Sequence, residues 1–409
     1  MTGGSGALRN IGVLATCRAG GAQAEIHAIA GAALAWEDGR IAWVGADTDL
    51  PERWRRGAAD AGGALVIPGL VDCHTHLAFG GWRADEFEQR ALGAGYLEIA
   101  RGGGGIASTM RRTRALDEAA LYDRAAAFAV AMRQLGVTTI ECKSGYGLDV
   151  ETELRLLRVY ARLGGQGDAR IVPTFLGAHV VPPDYRERRG EYVRLVIEEM
   201  IPAVAAAGLA RCCDVFVEDS AFTLAEARRI LGAGKAAGLS PKLHADQLTS
   251  GGGAELAAEL GALSADHLEH ASDAGIAAMS RAGVVAVSLP LATLYLRQPP
   301  MPARRFIDAG VAVAVATDFN PGSAPSYHLP LALTLACTLQ RMTPAETLKG
   351  ATVIAARAVG EEGECGSIEP GKSADFAIID APDVNTWLYH FTPNACMRTV
   401  FRGRTVWAA

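Results

Sequence analysis

The chain has 409 residues, of which 50% are hydrophobic and 21% are charged, so it can bury far more than one small core. Its formal net charge of −6 at pH 7 argues against nucleic acid or an anionic membrane as a partner, since both favour a basic protein surface. An acidic small-molecule substrate remains compatible with this charge, because one local arginine can bind a carboxylate.

The eight cysteines do not have the spacing of a disulfide framework. Cys73 and Cys142 lie in apolar runs, Cys212 and Cys213 are adjacent, and no CxxC pair occurs. Residues 1–6 contain no apolar core of signal-peptide length, and no apolar run of about 18 residues follows them. We therefore expect reduced thiols and a soluble, cytoplasmic protein without a membrane partner.

The two ends of the chain have the pattern of short strands. Residues 28–36 and 40–44 are apolar and flank an Asp-Gly pair, which favours a hairpin. Residues 374–379 and 399–407 are also strand-like. Two β-rich ends around a different middle predict one composite β domain, with residues 1–64 and 361–409 as its two parts.

The middle of the chain, residues 65–360, alternates apolar runs with segments of helical periodicity, which is clear in residues 119–135, 151–163 and 191–207. The apolar runs are residues 65–73, 137–142, 171–176, 214–217, 242–245, 263–265, 284–289 and 311–316. Eight strand–helix units are typical of a parallel barrel, so the predicted fold class is α/β with a TIM-type (β/α)₈ barrel. A doubly wound sheet is the competing architecture, but it does not usually need eight strands.

A long connection, residues 77–116, separates the first two predicted barrel strands and contains the glycine run 102–105. Loops of this length inside a compact domain are usually functional. A phosphate-binding loop is disfavoured because no Gly-Lys-Ser/Thr follows the run. We expect a mobile lid, or a loop whose backbone approaches a ligand.

Polar residues follow or close several of the predicted barrel strands. Five of the nine histidines fall there, together with one aspartate: His74, His76, His179, His244, His267 and Asp318. The C-terminal ends of barrel strands carry the active sites of such enzymes, so we expect these side chains to share one barrel mouth. Residues two apart on an extended segment face the same side, which directs both His74 and His76 into it.

Two histidines from one strand, one from another and a carboxylate from a third make a complete divalent-metal site. Zinc, iron and manganese all accept nitrogen and oxygen ligands of this kind, so the pattern leaves the metal open. A His-x-His pair by itself is more often structural, and the further strand-end residues are what favour a metal. The other histidines carry no spacing argument and are expected to be structural: His27, His270, His328 and His390.

Two stretches, residues 68–76 and 366–375, resemble the amidohydrolase superfamily, in which a barrel carries a composite β-sandwich built from both chain ends. Within it the chain is similar to the imidazolonepropionase family over nearly its whole length. The most specific stretches are Lys-Ser-Gly-Tyr-Gly-Leu at 143–148 and Thr-Phe-Leu-Gly-Ala-His at 174–179. Further similar stretches are residues 79–83, 102–106, 264–267 and 317–323.

The resemblance implies one divalent or trivalent metal ion per chain, zinc or iron, held by His74, His76, His244 and Asp318. It implies substrate contacts from Arg83, Tyr146, His179, Gln247, Asn320, Gly322 and Ser323. The implied reaction is hydrolysis of the cyclic amide of 4-imidazolone-5-propanoate to N-formimidoyl-L-glutamate, a step of histidine degradation. This substrate carries a carboxylate, for which the guanidinium fork of Arg83 is a natural partner. A homodimer is considered as the assembly.

The implied mechanism gives catalytic roles to Asp318 and His267. Asp318 takes a proton from the metal-activated water and passes it to the leaving ring nitrogen, and His267 stabilises the developing oxyanion. Deaminases of the superfamily, and some imidazolonepropionases, carry a glutamate that can shuttle protons where this chain has Gln247, whose amide cannot accept a proton at working pH. Gln247 therefore argues against a deaminase. Two alternatives stay open: another cyclic-amide hydrolase of the superfamily, and a non-catalytic barrel used as a binding scaffold.

Three of these assignments also have ordinary structural alternatives. Arg83 could be a solvated surface arginine, Tyr146 a packing aromatic, and His267 a residue that supports the site from behind. The position of Arg83 shortly after a predicted metal histidine favours the site. Tyr146 lies between two glycines that let the backbone approach a ligand, which favours the site as well.

Overall fold

The computed structural model describes residues 3–95, 98–99, 102–390 and 394–409. In chain order its strands are β1 Gly6–Ala15, β2 Ala28–Glu37, β3 Arg40–Ala46, β4 Ala59–Asp60, β5 Leu65–Pro68, β6 Leu70–Asp72, β7 Val137–Lys143, β8 Arg170–Ala178, β9 Cys212–Val217, β10 Ser240–Ala245, β11 Ser264–His267, β12 Val285–Ser288, β13 Val313–Val315, β14 Phe376–Ile379, β15 Cys396–Phe401 and β16 Arg404–Ala408.

The α-helices are α1 Glu52–Arg55, α2 Ala84–Ala91, α3 Gly105–Arg114, α4 Glu118–Arg133, α5 Val150–Gln166, α6 Arg189–Leu195, α7 Ile201–Ala207, α8 Leu224–Ala236, α9 Gly253–Leu260, α10 Asp273–Ala282, α11 Pro290–Leu296, α12 Ala303–Asp308, α13 Leu329–Gln340, α14 Pro344–Gly350, α15 Val353–Ala358 and α16 Val384–Tyr389. Short 3₁₀ helices span Asp47–Asp49 and Pro183–Arg188, and a π-helix spans Val196–Met200. In the described part of the chain, no helix is both long enough and apolar enough to cross a bilayer.

Strands β6 to β13 pair in chain order as one parallel sheet, and most of the intervening helices cover its outside. Hydrogen bonds close the seam between its first and last strands: His76 N donates to Phe319 O at 2.8 Å, and Asp318 N donates to His74 O at 3.0 Å. The predicted eight-stranded parallel barrel is confirmed. Each apolar run of the middle segment contributes one of its strands.

The first predicted run, residues 65–73, is divided between two sheets. β5 pairs with β1 and β14 in the terminal sheet, whereas β6 begins the barrel. The division falls at Gly69, where a Cβ atom would overlap Thr138, and it follows Pro68, which has no N–H to donate. This glycine therefore lets the chain pass from one sheet to the other.

The remaining strands form one mixed sheet in the order β16-β15-β14-β5-β1-β2-β3, with β4 beside β1. The predicted composite β domain from both chain ends is confirmed. The strand-like stretch 399–407 belongs to two strands, because β15 and β16 form a hairpin that turns at Arg402 and Gly403, both at positive φ. β1 was missed since a bulge between Leu8 and Ile11 breaks its alternation. The domain limits 1–64, 65–360 and 361–409 stay a prediction.

Two predicted helices, 119–135 and 151–163, correspond to α4 and α5, whose N-caps Asp117 and Asp149 accept backbone N–H bonds. The third, 191–207, is divided by the π-helix, which precedes Pro202 near the start of α7. A proline cannot supply its N–H to a continuous α-helix, so the local widening accommodates it. The connection 77–116 holds α2 and α3, and its residues 96–97 and 100–101 lie outside the described residues. Whether it moves as a lid stays a prediction.

Candidate metal centre and adjoining cleft

Four predicted metal ligands meet at the C-terminal end of the barrel. His74 and His76 follow β6, His244 belongs to β10 and Asp318 follows β13. The Nε2 atoms of His74 and His76 lie 3.4 and 3.5 Å from Asp318 Oδ1, and the ring centroids of His74 and His244 are 4.6 Å apart. All four residues are at most 3% exposed.

Some buried ligand atoms of this cluster have no hydrogen-bond partner among the described residues, and a bound cation would be such a partner. The Nε2 atoms of His74 and His244 have no hydrogen bond within the described residues. Leaving a buried polar atom without a hydrogen bond costs free energy. Three overlapping groups bring ligand atoms within 4.8 Å of one another: His74 with His76 and Asp318, His74 with His244 and His267, and His76 with His179 and His244. These nitrogen and oxygen donors fit a divalent metal ion.

Burial sets the charge of these groups. It lowers the pKa of His74, His76 and His244 well below the usual value, which keeps the imidazoles in the neutral form that a metal binds. Burial also raises the pKa of Asp318 well above its usual range, with Asn320 and Lys143 opposing it. A bound cation would favour the ionised carboxylate instead.

Carboxylates from other barrel strands orient two of the rings. The Nδ1 atom of His74 lies 2.6 Å from Asp266 Oδ2, and that of His244 lies 3.1 Å from Asp214 Oδ1. Each bond leaves the Nε2 atom directed toward the cluster, the arrangement that fixes histidines at metal sites.

Two lysines inside the barrel neutralise these carboxylates. Lys143 Nζ lies 2.7 Å from Asp214 Oδ2, 2.9 Å from Glu141 Oε1 and 3.5 Å from Asp266 Oδ2, and Lys242 Nζ lies 3.3 Å from Glu141 Oε1. Burial alone would lower the pKa of Lys143, but Asp214, Glu141 and Asp266 raise it well above its usual range. All five side chains are fully buried.

Sequence reasoning missed this charge network. One feature of the sequence could have indicated these residues: each is a charged residue inside an otherwise apolar barrel strand. Such residues are almost never fully buried unless they are paired, so each one predicts a partner on another strand. Which strands supply the partners cannot be read from a single sequence.

The cluster opens into a cleft at the barrel mouth. Its lining includes His76, Arg83, Ile106, Tyr146, His179, Phe216, His244, Gln247, Leu248, His267, Leu296, Asp318, Asn320 and Ser323. The structure thus brings six of the seven predicted substrate contacts and both predicted catalytic residues to one cleft. Gly322, the seventh contact, lies beside it against Arg83.

Arg83 is buried, with 3% exposure, so it is not a solvated surface arginine. Its Nε lies 3.7 Å from Glu86 Oε2, and neither Nε nor Nη1 has a hydrogen-bond partner among the residues that the structure describes. A Cβ atom on Gly322 would overlap the guanidinium, so a glycine there makes room for it. A buried cation with free donors suits an anionic group of a ligand.

Tyr146 and His179 form the wall beside His76. The His179 ring stacks on His76 at 5.1 Å between centroids, and its Nδ1 lies 2.9 Å from Gly145 O. The backbone N–H groups of Gly145 and Gly147 donate to the buried Glu153 carboxylate, which shapes the turn that carries Tyr146. Burial lowers the pKa of His179 to about 4, so its ring is neutral near pH 7.

Asn320 has its amide fully engaged within its own loop. Its Nδ2 donates to Asp318 O at 2.7 Å and to Ser323 Oγ at 2.8 Å, while its Oδ1 accepts from the N–H groups of Gly322 and Ser323 at 2.8 Å. These contacts indicate that Asn320 shapes the loop beside Asp318. Its direct contact with substrate stays a prediction.

Comparison with known proteins adds four findings. A family model described as "Amidohydrolase family" matches residues 223–406. The chain is 50% identical over 382 residues to an imidazolonepropionase of Cupriavidus necator, covering 92% of this chain and 91% of that one. It is 51% identical over 368 residues to an imidazolonepropionase of Myxococcus xanthus, covering 88% and 86%. The solved structure of a triazine hydrolase variant shares the fold, with a TM-score of 0.77, 16% identity and coverage of 98% and 94%.

Proposed function

The chain belongs to the imidazolonepropionase family, and from this premise we propose that it hydrolyses the cyclic amide of 4-imidazolone-5-propanoate to N-formimidoyl-L-glutamate in histidine degradation. It is a hydrolase that acts on a carbon–nitrogen bond. The observation that supports this substrate is the cleft itself, where a buried arginine with free donors faces the same space as the histidine–aspartate cluster.

We propose that one zinc or iron ion per chain is held by His74, His76, His244 and Asp318. The Nε2 atoms of His74 and His244, which have no hydrogen-bond partner among the described residues, and the short distances from His74 and His76 to Asp318 support this ligand set. When bound, such an ion supplies Lewis-acid polarisation of the ring carbonyl and a water that ionises near neutral pH.

The chain's own residues then position the substrate. Arg83 binds the propanoate carboxylate through its free donors, and Tyr146, His179 and Gln247 contact the ring. Gly322 and Ser323 lie against the carboxylate end, since Gly322 packs on the Arg83 guanidinium. Apolar residues Ile106, Phe216 and Leu296 keep water from the rest of the cleft.

Proton movement is assigned to two residues. Asp318 accepts a proton from the attacking water at its carboxylate and delivers it to the ring nitrogen as the amide bond breaks. His267 donates a hydrogen bond to the oxygen that gains negative charge. Gln247 has no ionisable proton and takes no part in this transfer, which distinguishes the proposed site from a deaminase site with glutamate there.

Two further proposals concern the whole molecule. Its acidic net charge and ordinary globular composition support a cytoplasmic enzyme. A homodimer is proposed as the assembly, which sedimentation of the purified chain would test.

The test is to mix purified protein with 4-imidazolone-5-propanoate and follow loss of the ring chromophore. We expect turnover that a chelator abolishes and that added zinc or iron restores. An imidazolone without the propanoate side chain is the matched control, and it should react far more slowly because Arg83 has nothing to bind. No turnover by metal-loaded protein, or equal turnover of both compounds, would refute the proposal.

A further inference from the structure

Glu269 lies behind His267 on the loop that follows β11, and the proposed reaction makes no use of it. Its side chain has no solvent exposure, and Oε1 accepts a hydrogen bond from Thr293 Oγ1 at 2.8 Å. The other oxygen, Oε2, has no partner in the described ranges of the chain. A buried carboxylate oxygen without a partner is costly, so a group that can pair with it is expected nearby.

That group is the imidazole of His267. Its Nδ1 atom is buried and has no hydrogen-bond partner among the residues that the structure describes, and it lies 3.9 Å from Glu269 Oε2. A closer approach of about 1 Å would bring these two atoms to hydrogen-bond distance.

The backbone between them is held in an uncommon conformation. His267 and Leu268 both have positive φ, 81° and 68°, a region that residues with a Cβ rarely adopt. Two such residues in succession cost free energy and persist where the surrounding structure imposes them, which happens most often at functional sites. Here they place the Glu269 carboxyl beside the imidazole two residues earlier.

We propose that Glu269 is a positioning residue that acts through His267: a hydrogen bond between Glu269 Oε2 and His267 Nδ1 fixes the ring and directs Nε2 into the cleft. The neutral His267 ring has one N–H, which must be on Nε2 to donate to the reacting oxygen, so the Glu269 carboxyl carries the hydrogen of this bond and donates it to Nδ1. The role of His267 in the reaction rests on the proposed function, whereas the pairing is a property of the free protein.

The electrostatics of the pair agree with this geometry. Burial raises the pKa of Glu269 to about 7, with Thr293 opposing the shift, and burial lowers the pKa of His267 to about 4, with Asp266 and Asp214 opposing it. Neither group is stable as an isolated charge at neutral pH, so each gains from a hydrogen bond to the other.

The kinetic test uses Glu269→Ala, Glu269→Gln and His267→Asn. We expect Glu269→Ala to lower kcat about 10- to 100-fold with little change in KM, the usual effect of removing a partner that orients a histidine. Glu269→Gln should retain more activity, because its amide can still bond to Nδ1. In the His267→Asn background, Glu269→Ala should cause no further loss. An equal further loss there would overturn the proposal, since Glu269 would then act without His267.

The matched control is Glu346→Gln. Glu346 is also a buried glutamate, 5% exposed, but it bonds to Arg304 and caps α14 away from the cleft. The Glu346→Gln substitution should lower thermal stability and leave kcat unchanged. If Glu269→Gln and Glu269→Ala behave like this control, Glu269 is only structural and the proposal fails.

A second readout needs neither substrate nor turnover. The ¹⁵N resonance of His267 Nδ1, assigned with His267→Asn, should be that of a hydrogen-bonded nitrogen in the metal-loaded protein. It should move to that of an unpaired nitrogen in Glu269→Ala or, if this variant does not fold, shift part of the way in Thr293→Val. An identical resonance in all folded variants would refute the pairing. Absence of imidazolone turnover by wild-type protein would instead refute the proposed function alone.

Discussion

The proposed metal side and the proposed substrate side of the cleft are built in different ways. On the metal side, His74 and His244 are each held from behind by a carboxylate on another barrel strand, and lysines balance those carboxylates. On the proposed substrate side, Arg83 has donors without a partner in the described part of the chain, and the Asn320 amide bonds to its own loop. The strands thus fix the proposed metal side, whereas Arg83 on the proposed substrate side has donors that a ligand carboxylate would engage. Substitutions should therefore separate metal affinity from substrate affinity.

Asp318→Asn should have the largest effect, because it removes both a proposed ligand and the proposed proton carrier. We expect kcat/KM to fall by at least about 10³-fold, the scale of a lost acid–base group plus weaker metal binding. Elemental analysis and steady-state kinetics measure both consequences. Asp308→Asn, at the exposed end of α12, is the control. Full activity of Asp318→Asn would contradict the assignment.

Asp266→Asn tests the support behind the metal side. An amide holds the His74 ring less well and leaves the buried Lys143 with one negative charge fewer, so we expect metal affinity to fall about 10- to 100-fold. Competition with a chromophoric chelator measures the affinity. Arg83→Ala is the comparison, since it should leave metal affinity unchanged. Equal metal affinity in Asp266→Asn and wild type would show that metal binding does not depend on the Asp266 carboxylate behind His74.

Arg83→Ala tests the substrate side. Loss of the charged hydrogen bonds to the carboxylate should cost about 1.5–3 kcal/mol, roughly 10- to 100-fold in kcat/KM, with metal content unchanged. Arg83→Lys should recover only part, because an ammonium cannot form the two-pronged contact. Unchanged kcat/KM in both variants would remove Arg83 from the site.

Gly322→Ala reaches the same contact without changing Arg83. The added methyl overlaps the guanidinium and must displace it, so KM should rise in the manner of Arg83→Ala. Gly190→Ala, where a Cβ meets no atom within 4 Å, is the matched control and should leave KM unchanged. A normal KM in Gly322→Ala would show that the guanidinium position is not critical.

Gln247 should give the smallest effect. Gln247→Ala is expected to cost about 1 kcal/mol of transition-state binding, roughly fivefold in kcat/KM, because one neutral hydrogen-bonding group is lost. Gln247→Glu should keep the metal and alter the pH profile, since a titratable group then enters the cleft. If Gln247→Ala is as inactive as Asp318→Asn with its metal still bound, then the assignment of ring contact to Gln247 and proton transfer to Asp318 is wrong.

Much of the fold could be predicted because its signals are local. The alternation of apolar runs and helical segments gave the barrel, and the β-rich ends gave the terminal sheet. The failures were also local, and each depends on one residue's backbone: the break at Gly69, the hairpin turn at Gly403 and the widened helix before Pro202. A single glycine or proline in an apolar run does not reveal from sequence whether it interrupts the element.

The residues of the candidate site also fall into two groups, those that the sequence could predict and those that it could not. Strand-end histidines and Asp318 could be listed from sequence because the barrel topology assembles such positions at one end. The pairing of Lys143 with Asp214 and Asp266 could not, since it requires knowing which side chains meet inside the barrel. The engaged amide of Asn320 and the contact between Glu269 and His267 depend on loop conformation, which leaves no mark in composition or period.

The position of the proposed metal at the seam of the barrel determines when a newly synthesised chain could bind it. His76 and His74 precede nearly all of the barrel, whereas Asp318 follows its last strand, and backbone hydrogen bonds join the two edges there. A nascent chain cannot assemble the full ligand set until almost the whole barrel has left the ribosome. Ion capture would thus be a late event that locks the first strand to the last. Withdrawing the ion should loosen this edge before any other, with amide hydrogen exchange rising first at residues 74–76 and 317–319.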